Sequence, residues 1–283
     1  MSIRFTKMHG LGNDFVVFES LSRELYFTPE TIRLLADRHR GIGFDQLLLI
    51  TPPSRVDVDF GYRIFNHDGS EVAQCGNGAR CVGRFIRDRK FSPKQHLVLE
   101  TLNGILELYV ADTHVTVNMG IPTFEPHEIP FIAEQSALEY DLDVSGEIFR
   151  VSAVALGNPH VVLVCESAAN APVTKLGRKI ESHARFPQRV NVGFLEIMDP
   201  TNIRLRVYER GAGETQACGS GACAAAVIAR RLGRTQEIVK VHLIGGDLEI
   251  RWGGQGSPIW MRGPTVSVFE GNLQPDLFRR SPV

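Results

Sequence analysis

Apolar and polar residues alternate with period two over residues 56–66, 203–209 and 247–252, the spacing of strands with one buried face. Four stretches replace that alternation with helical spacing. Thr28-Pro29-Glu30 opens the first, with Thr as N-cap and Pro in the first turn, and Gly41 closes it. The second begins at Cys75 and runs to about Lys90, and the third covers residues 174–184. The fourth covers residues 218–232, with Gly233 as its stop signal. Strands mixed with long single helices, without strict strand–helix alternation, predict an α+β fold rather than a dinucleotide-binding one.

Sliding the chain on itself exposes a repeat. Leu11-Gly12-Asn13-Asp14-Phe15-Val16-Val17 matches Leu156-Gly157-Asn158-Pro159-His160-Val161-Val162 at an offset of 145 residues, which also sets Gln46 opposite Asn191. At an offset of 143, Cys75-Gly76-Asn77-Gly78-Ala79 faces Cys218-Gly219-Ser220-Gly221-Ala222. The same register sets Asn66 against Glu209, His67 against Arg210 and Glu71 against Glu214. Three blocks in one order predict two related halves, joined near Gly120-Ile121-Pro122. The expected domains are residues 1–119 with about 266–283, and residues 120–265, the last strand (about 266–270) and the tail returning to the first half.

Composition narrows the class. A chain of 283 residues with 43% apolar and 22% charged residues is ordinary globular material, long enough for one large domain or two of ordinary size. A net charge of −1 advertises neither nucleic acid nor an anionic membrane. The first ten residues lack the apolar core of a signal peptide, and no apolar run is long enough to span a bilayer, so a cytoplasmic protein is expected. Five cysteines argue against a disulfide framework, and their spacings make no CxxC and no zinc-finger pattern with histidine. No structural metal is expected.

Cys75 and Cys218 each stand before Gly-x-Gly-Ala at the head of an apolar helix. The first N–H groups of a helix have no intrahelical partner, and the terminus carries roughly half a positive charge, which binds a carboxylate and favours a thiolate. A free thiol titrates near about 8.5, and such a position lowers that value. One such site is unremarkable, since glycine-rich helix starts are common and cysteine is often buried; two at equivalent places in two repeated halves point to function. A thiol on each side of one ligand suits inversion at carbon, one sulfur removing a proton and the other returning one to the opposite face. Oriented N–H donors at the carboxylate would stand in for an electron-sink cofactor, and none is expected. His160 and Glu209 are candidate proton partners of the thiols. Cys81 and Cys223, deeper in their helices, suit packing.

The segments His9-Gly10-Leu11-Gly12-Asn13-Asp14-Phe15, Asn66-His67-Asp68-Gly69-Ser70, Cys75-Gly76-Asn77-Gly78-Ala79-Arg80-Cys81, Gly157-Asn158-Pro159-His160 and Tyr208-Glu209-Arg210-Gly211 through Ala217-Cys218-Gly219-Ser220-Gly221 resemble the diaminopimelate epimerase family over almost the whole chain. The resemblance implies two pseudo-symmetric domains, each a β-barrel-like sheet around a central helix. It implies epimerisation of LL-2,6-diaminopimelate to the meso form without metal or cofactor, for lysine and peptidoglycan precursors, in a homodimer. It assigns substrate contacts to Asn13, Gln46, Asn66, Asn158, Asn191, Glu209 and Arg210. Loop amides fall to Gly76, Asn77, Gly219 and Ser220, and the two bases to Cys75 and Cys218. Ser220 stands where the family often has Thr, keeping the hydroxyl and the N–H.

Two rivals make different predictions. A proline or hydroxyproline racemase shares the paired cysteines but serves a ring with one carboxylate, whereas Asn13, Asn66, Asn191 and Arg210 suit a longer substrate with a second carboxylate for Arg210 to fork. A non-catalytic anion binder explains the glycines but gives no reason for two thiols. No GxxxxGK[ST] segment supports a phosphate-dependent enzyme.

Overall fold

The computed structural model describes residues 3–73 and 75–274. In the first part of the chain β1 (Ile3–Gly10) and β2 (Asn13–Glu19) form a hairpin, followed by α1 (Pro29–Ala36), β3 (Gln46–Thr51), β4 (Phe60–Asn66) and β5 (Glu71–Val72). Then come α2 (Gly76–Asp88), β6 (His96–Thr101), β7 (Gly104–Val110) and β8 (Val115–Asn118). The middle of the chain repeats the plan. It holds β9 (Tyr140–Val144), β10 (Glu147–Ala155), β11 (Pro159–Val164), α3 (Val173–Glu181), β12 (Asn191–Asp199), β13 (Asn202–Glu209), β14 (Gly213–Thr215), α4 (Gly219–Arg231), β15 (Ile238–Leu243), β16 (Gly246–Trp252) and β17 (Ile259–Gly263). The last strand, β18 (Val266–Leu273), pairs antiparallel with β1.

Contacts divide the chain into two compact units, Asn118–Arg262 and the chain on either side of it. The boundary falls two residues before the expected one, because β8 continues the first unit's meander through Val117. Residues 275–283, where the tail was expected to return, lie outside the described residues.

The repeat is one of register as well as residue type. In the first unit β2 and β3 run parallel with Phe15 opposite Gln46; in the second, β11 and β12 run parallel with His160 opposite Asn191, both at the offset of 145. β4 pairs antiparallel with β3 and β5, as β13 does with β12 and β14. The Arg63–Glu71 ion pair, with Nε donating to Oε1 at 2.8 Å, has its counterpart in Arg206–Glu214 at 2.7 Å. Each unit wraps its strands around one thirteen-residue helix, α2 against β1, β2, β3 and β7, and α4 against β10 to β13, β15 and β16.

Packing explains the helix positions. Every residue of α4 from Gly221 to Ala229 is buried, and the alanine-rich sequence keeps the helix thin enough to fill a sheet interior. In the first unit Phe5, Phe18, Phe27, Leu47, Leu49 and Phe65 share one core on the sheet's other face, with α1. In the second, α3 covers the outer face so closely that a side chain on Gly177 would meet Tyr208 Cβ at 2.6 Å. The helices are shorter than expected. α1 stops at Ala36, where Asp37 turns its carboxylate to the N–H groups of His39 and Arg40, and α3 stops at Glu181. The alternation over 56–66 is strand only from Phe60; Val56 is fully exposed beyond Pro52-Pro53.

Candidate active site

The strand ends collect the polar residues of each unit. β2 and β3 begin, and β4 ends, at the same edge, which gathers Asn13, Gln46 and Asn66. Gln46 Nε2 donates to Asn66 Oδ1 at 2.9 Å, and Asn77 Nδ2 to Asn13 Oδ1 at 3.4 Å. Cys75 is the N-cap of α2, its backbone extended and its sulfur accepting the Gly78 N–H at 3.3 Å. The backbone ladder starts with Ala79 N–H donating to Cys75 O, so the N–H groups of Gly76 and Asn77 precede it in the first turn.

The second unit builds the same mouth with other chemistry. Cys218 caps α4 and accepts the Gly221 N–H at 3.4 Å, and the ladder starts at Ala222, outside which lie Gly219 and Ser220. A chain of polar contacts runs to this sulfur. His160 Nε2 meets Asn158 Oδ1 at 3.1 Å, Asn158 Nδ2 donates to Ser220 Oγ at 3.4 Å, and Ser220 Oγ lies 3.6 Å from Cys218 Sγ. A carbonyl oxygen only accepts, so the imidazole carries its proton on Nε2. His160 is 1% exposed, and burial together with the Arg210 charge pushes its pKa down to about 3. It is neutral at physiological pH.

Cys218 departs from the expected lowered pKa. The thiol is 5% exposed; its burial, and then the Glu209 carboxylate beside it, push its pKa well above the ordinary value. The Gly221 N–H and the Ser220 hydroxyl pull the other way without reversing the shift. Loss of solvation outweighs the helix terminus here. Glu209, at the end of β13, also accepts from Thr215 Oγ1. The candidate proton partners thus separate, Glu209 at the Cys218 sulfur itself and His160 three contacts away, through Asn158 and Ser220. Cys81 and Cys223 are fully buried in their helices, and burial pushes the Cys81 thiol up to about 12.

Asn191 spends both ends of its amide on backbone, Nδ2 donating to Pro159 O at 2.9 Å and Oδ1 accepting from Arg210 N–H at 3.0 Å. It locks the Arg210 turn more directly than it offers a group to a ligand. The buried Glu181 carboxylate holds the other side of that turn by accepting from Gly211 N–H at 2.6 Å, while Arg210 Nη1 donates to Gln188 O. Sequence inspection misses Glu181, and also Asp45, which accepts from Asn13 Nδ2 at 2.9 Å. Neither lies in a repeated block. Among the described residues no cluster of three or more metal-ligating side chains occurs.

Two repeated units, each with a cysteine-capped helix inside a sheet, define a fold shared with amino-acid epimerases and racemases. A hydroxyproline epimerase from Agrobacterium vitis superposes with a TM-score of 0.69 at 16% identity, covering 97% of this chain and 93% of that one. A phenazine biosynthesis protein from Bacillus anthracis gives the same score and identity, covering 97% and 99%. The sequence pattern of diaminopimelate epimerase matches residues 5–125 and 152–268, covering both units. The diaminopimelate epimerases of Ectopseudomonas mendocina and Nitrosospira multiformis are each 54% identical, over 275 and 276 residues, covering 97% of this chain and 100% and 99% of theirs. The chain belongs to the diaminopimelate epimerase family.

Proposed function

We propose that this enzyme interconverts LL- and meso-2,6-diaminopimelate by a two-base mechanism, with Cys75 and Cys218 serving opposite faces of one α-carbon. The observation that carries the reading is the doubled cap, a sulfur at the N-terminus of the central helix in each unit beside two N–H groups outside the ladder. A thiolate takes the α-proton, the electron pair of the C–H bond moves into the carboxylate, and the other thiol delivers its proton to the opposite face. Negative charge growing on the carboxylate is met by N–H groups at Gly76, Asn77, Gly219 and Ser220; one such oriented donor is worth about 3–4 kcal/mol of barrier. Glu209 suits the role of taking the Cys218 proton when that sulfur must act as base.

The second zwitterionic end of diaminopimelate suits Arg210, an exposed guanidinium whose backbone is fixed by Asn191, together with Asn13, Gln46, Asn66 and Asn158. A proline-type substrate offers no second carboxylate for it. Five free cysteines accord with a reducing, cytoplasmic compartment. The exposed Val266, Val268 and Phe269 of β18 supply apolar surface for the homodimer that the family resemblance implies.

Turnover of LL-diaminopimelate and of proline, measured in heavy water, tests the reading. Product formed early should carry solvent deuterium at Cα while remaining substrate carries little, and Cys75→Ala and Cys218→Ala should each abolish epimerisation. Preference for proline would overturn the substrate, and equal early labelling of substrate and product would overturn the two-base scheme.

A further inference from the structure

Asn13 and Asp14 open β2, and Asp45 stands just before β3. At this end each aspartate accepts the other's backbone N–H, Asp14 N donating to Asp45 Oδ2 at 3.1 Å and Asp45 N to Asp14 Oδ1 at 3.0 Å. Two adjacent carboxylates repel unless cations sit on them. Arg38 forks over Asp14, Nη1 donating to Oδ2 at 2.9 Å and Nη2 to Oδ1 at 2.8 Å, and Nη2 also donates to Asp45 Oδ1 at 2.8 Å. The buried Lys7 ammonium donates to Asp14 and to Gly43 O. The two positive and two negative side chains balance, and the cluster is tied to three backbone segments.

Asp45 Oδ2 then accepts Asn13 Nδ2 at 2.9 Å. An ionised carboxylate has no proton to give, so only the NH2 end of the Asn13 amide can face it. The amide oxygen is thereby turned away from Asp45, to the side where Asn77 Nδ2 approaches at 3.4 Å on the first turn of α2. That contact is long enough for a stronger donor to displace it, and an ammonium group is such a donor.

We infer that Asp45, braced by Arg38 and Asp14, is the positioning residue that turns Asn13 to present its carbonyl oxygen to a substrate ammonium group. The inference rests on the diaminopimelate epimerase reading, since it needs an amino-acid substrate contacting Asn13. Asp45→Asn keeps the shape but lets either end of the new amide face Asn13, so the forced orientation is lost.

The test is a double-mutant cycle with LL-diaminopimelate, using the wild type, Asp45→Asn, Asn13→Ala and the double variant. Asp45→Asn should raise KM about tenfold, the worth of one charge-assisted hydrogen bond, while kcat changes less than about twofold. The double variant should be no worse than Asn13→Ala alone, because Asp45 acts only through Asn13. Additive losses would overturn the inference, as would an unchanged KM in Asp45→Asn. If Asp45→Asn does not fold, Arg38→Gln, at a largely exposed residue, should raise KM about threefold and add nothing to Asn13→Ala; additivity or no effect there overturns it equally. A wild type that does not turn over LL-diaminopimelate removes instead the substrate reading beneath it.

Discussion

Tyr62 buries a hydroxyl that has no hydrogen-bond partner among the described residues, against the first turn of α2. Burial, and then the proximity of the Cys75 and Cys81 sulfurs, push its pKa well above the ordinary value, so it stays a neutral phenol. An unsatisfied buried hydroxyl costs about 1–3 kcal/mol, and Phe has the same shape without it. Tyr62→Phe is therefore expected to leave the melting temperature unchanged or raise it. Gly78 reads the same contact from the helix side, for a Cβ there would sit 2.6 Å from the Tyr62 oxygen. Gly78→Ala should destabilise the wild type by about 1–3 kcal/mol, the usual cost of overpacking. In the Tyr62→Phe background, where that oxygen is gone, it should cost clearly less. Chemical denaturation of the four variants measures the coupling, and equal costs in both backgrounds would refute the steric account. The hydroxyl has no twin in the second unit, where the offset of 143 sets Leu205 opposite Tyr62. The two sulfurs thus sit in different surroundings, a phenol near Cys75 and the Glu209 carboxylate at Cys218.

At the scale of the element, each sulfur proposed as a base is also a helix cap. Ser can take the Gly78 or Gly221 N–H as the sulfur does, whereas Ala cannot, and losing an N-cap acceptor costs about 1 kcal/mol. Cys75→Ser and Cys218→Ser should therefore keep wild-type stability, and the two Ala variants should each lose roughly that amount. All four should lose epimerase activity, since a hydroxyl is far too weak an acid and base for the step. Loss of activity without loss of stability in the Ser variants separates chemistry from capping, and a Ser variant that still epimerises would refute the role of sulfur. These capped helices were the most legible elements in the sequence, because Cys-Gly-x-Gly-Ala encodes its own start and repeats at 143. β13 and β16 were legible within one residue, from period-two alternation. Residues 56–59 read as strand because Val-Asp-Val-Asp alternates, yet Val56 and Asp57 stand exposed in a turn and, although Val58 is buried, the strand begins only at Phe60. Asp45, Glu181 and Tyr62 were illegible for another reason. What each does depends on a partner brought up by strand pairing or helix packing, and local sequence carries no trace of it.

For the whole molecule, the buried site sets how folding responds to acid. His160 has a folded pKa of about 3, below the ordinary 6.5. Between those values the unfolded chain binds a proton that the folded chain refuses, so stability rises with pH across the window and falls as acid is added. One such group contributes a slope of at most about 1.4 kcal/mol per pH unit. Asp14 acts lower on the scale. Burial raises its pKa, but hydrogen bonds from Arg38 and Lys7 and their charges outweigh that and hold the carboxyl well below the usual range. Its stabilisation is present above the unfolded value of 3.8 and is lost as pH falls below it. The two units therefore carry acid sensitivity in different windows, the second through His160 from pH 6.5 downward and the first through Asp14 from about 3.8. Urea denaturation at half-unit pH steps should show the wild type weakening steadily from pH 6.5 to 4. His160→Gln, whatever its stability at pH 7, should flatten that stretch of the curve, and Asp14→Asn should leave its slope alone. An unchanged slope in His160→Gln would mean that the imidazole gains its proton before the chain unfolds, and that burial in the second unit does not hold it neutral.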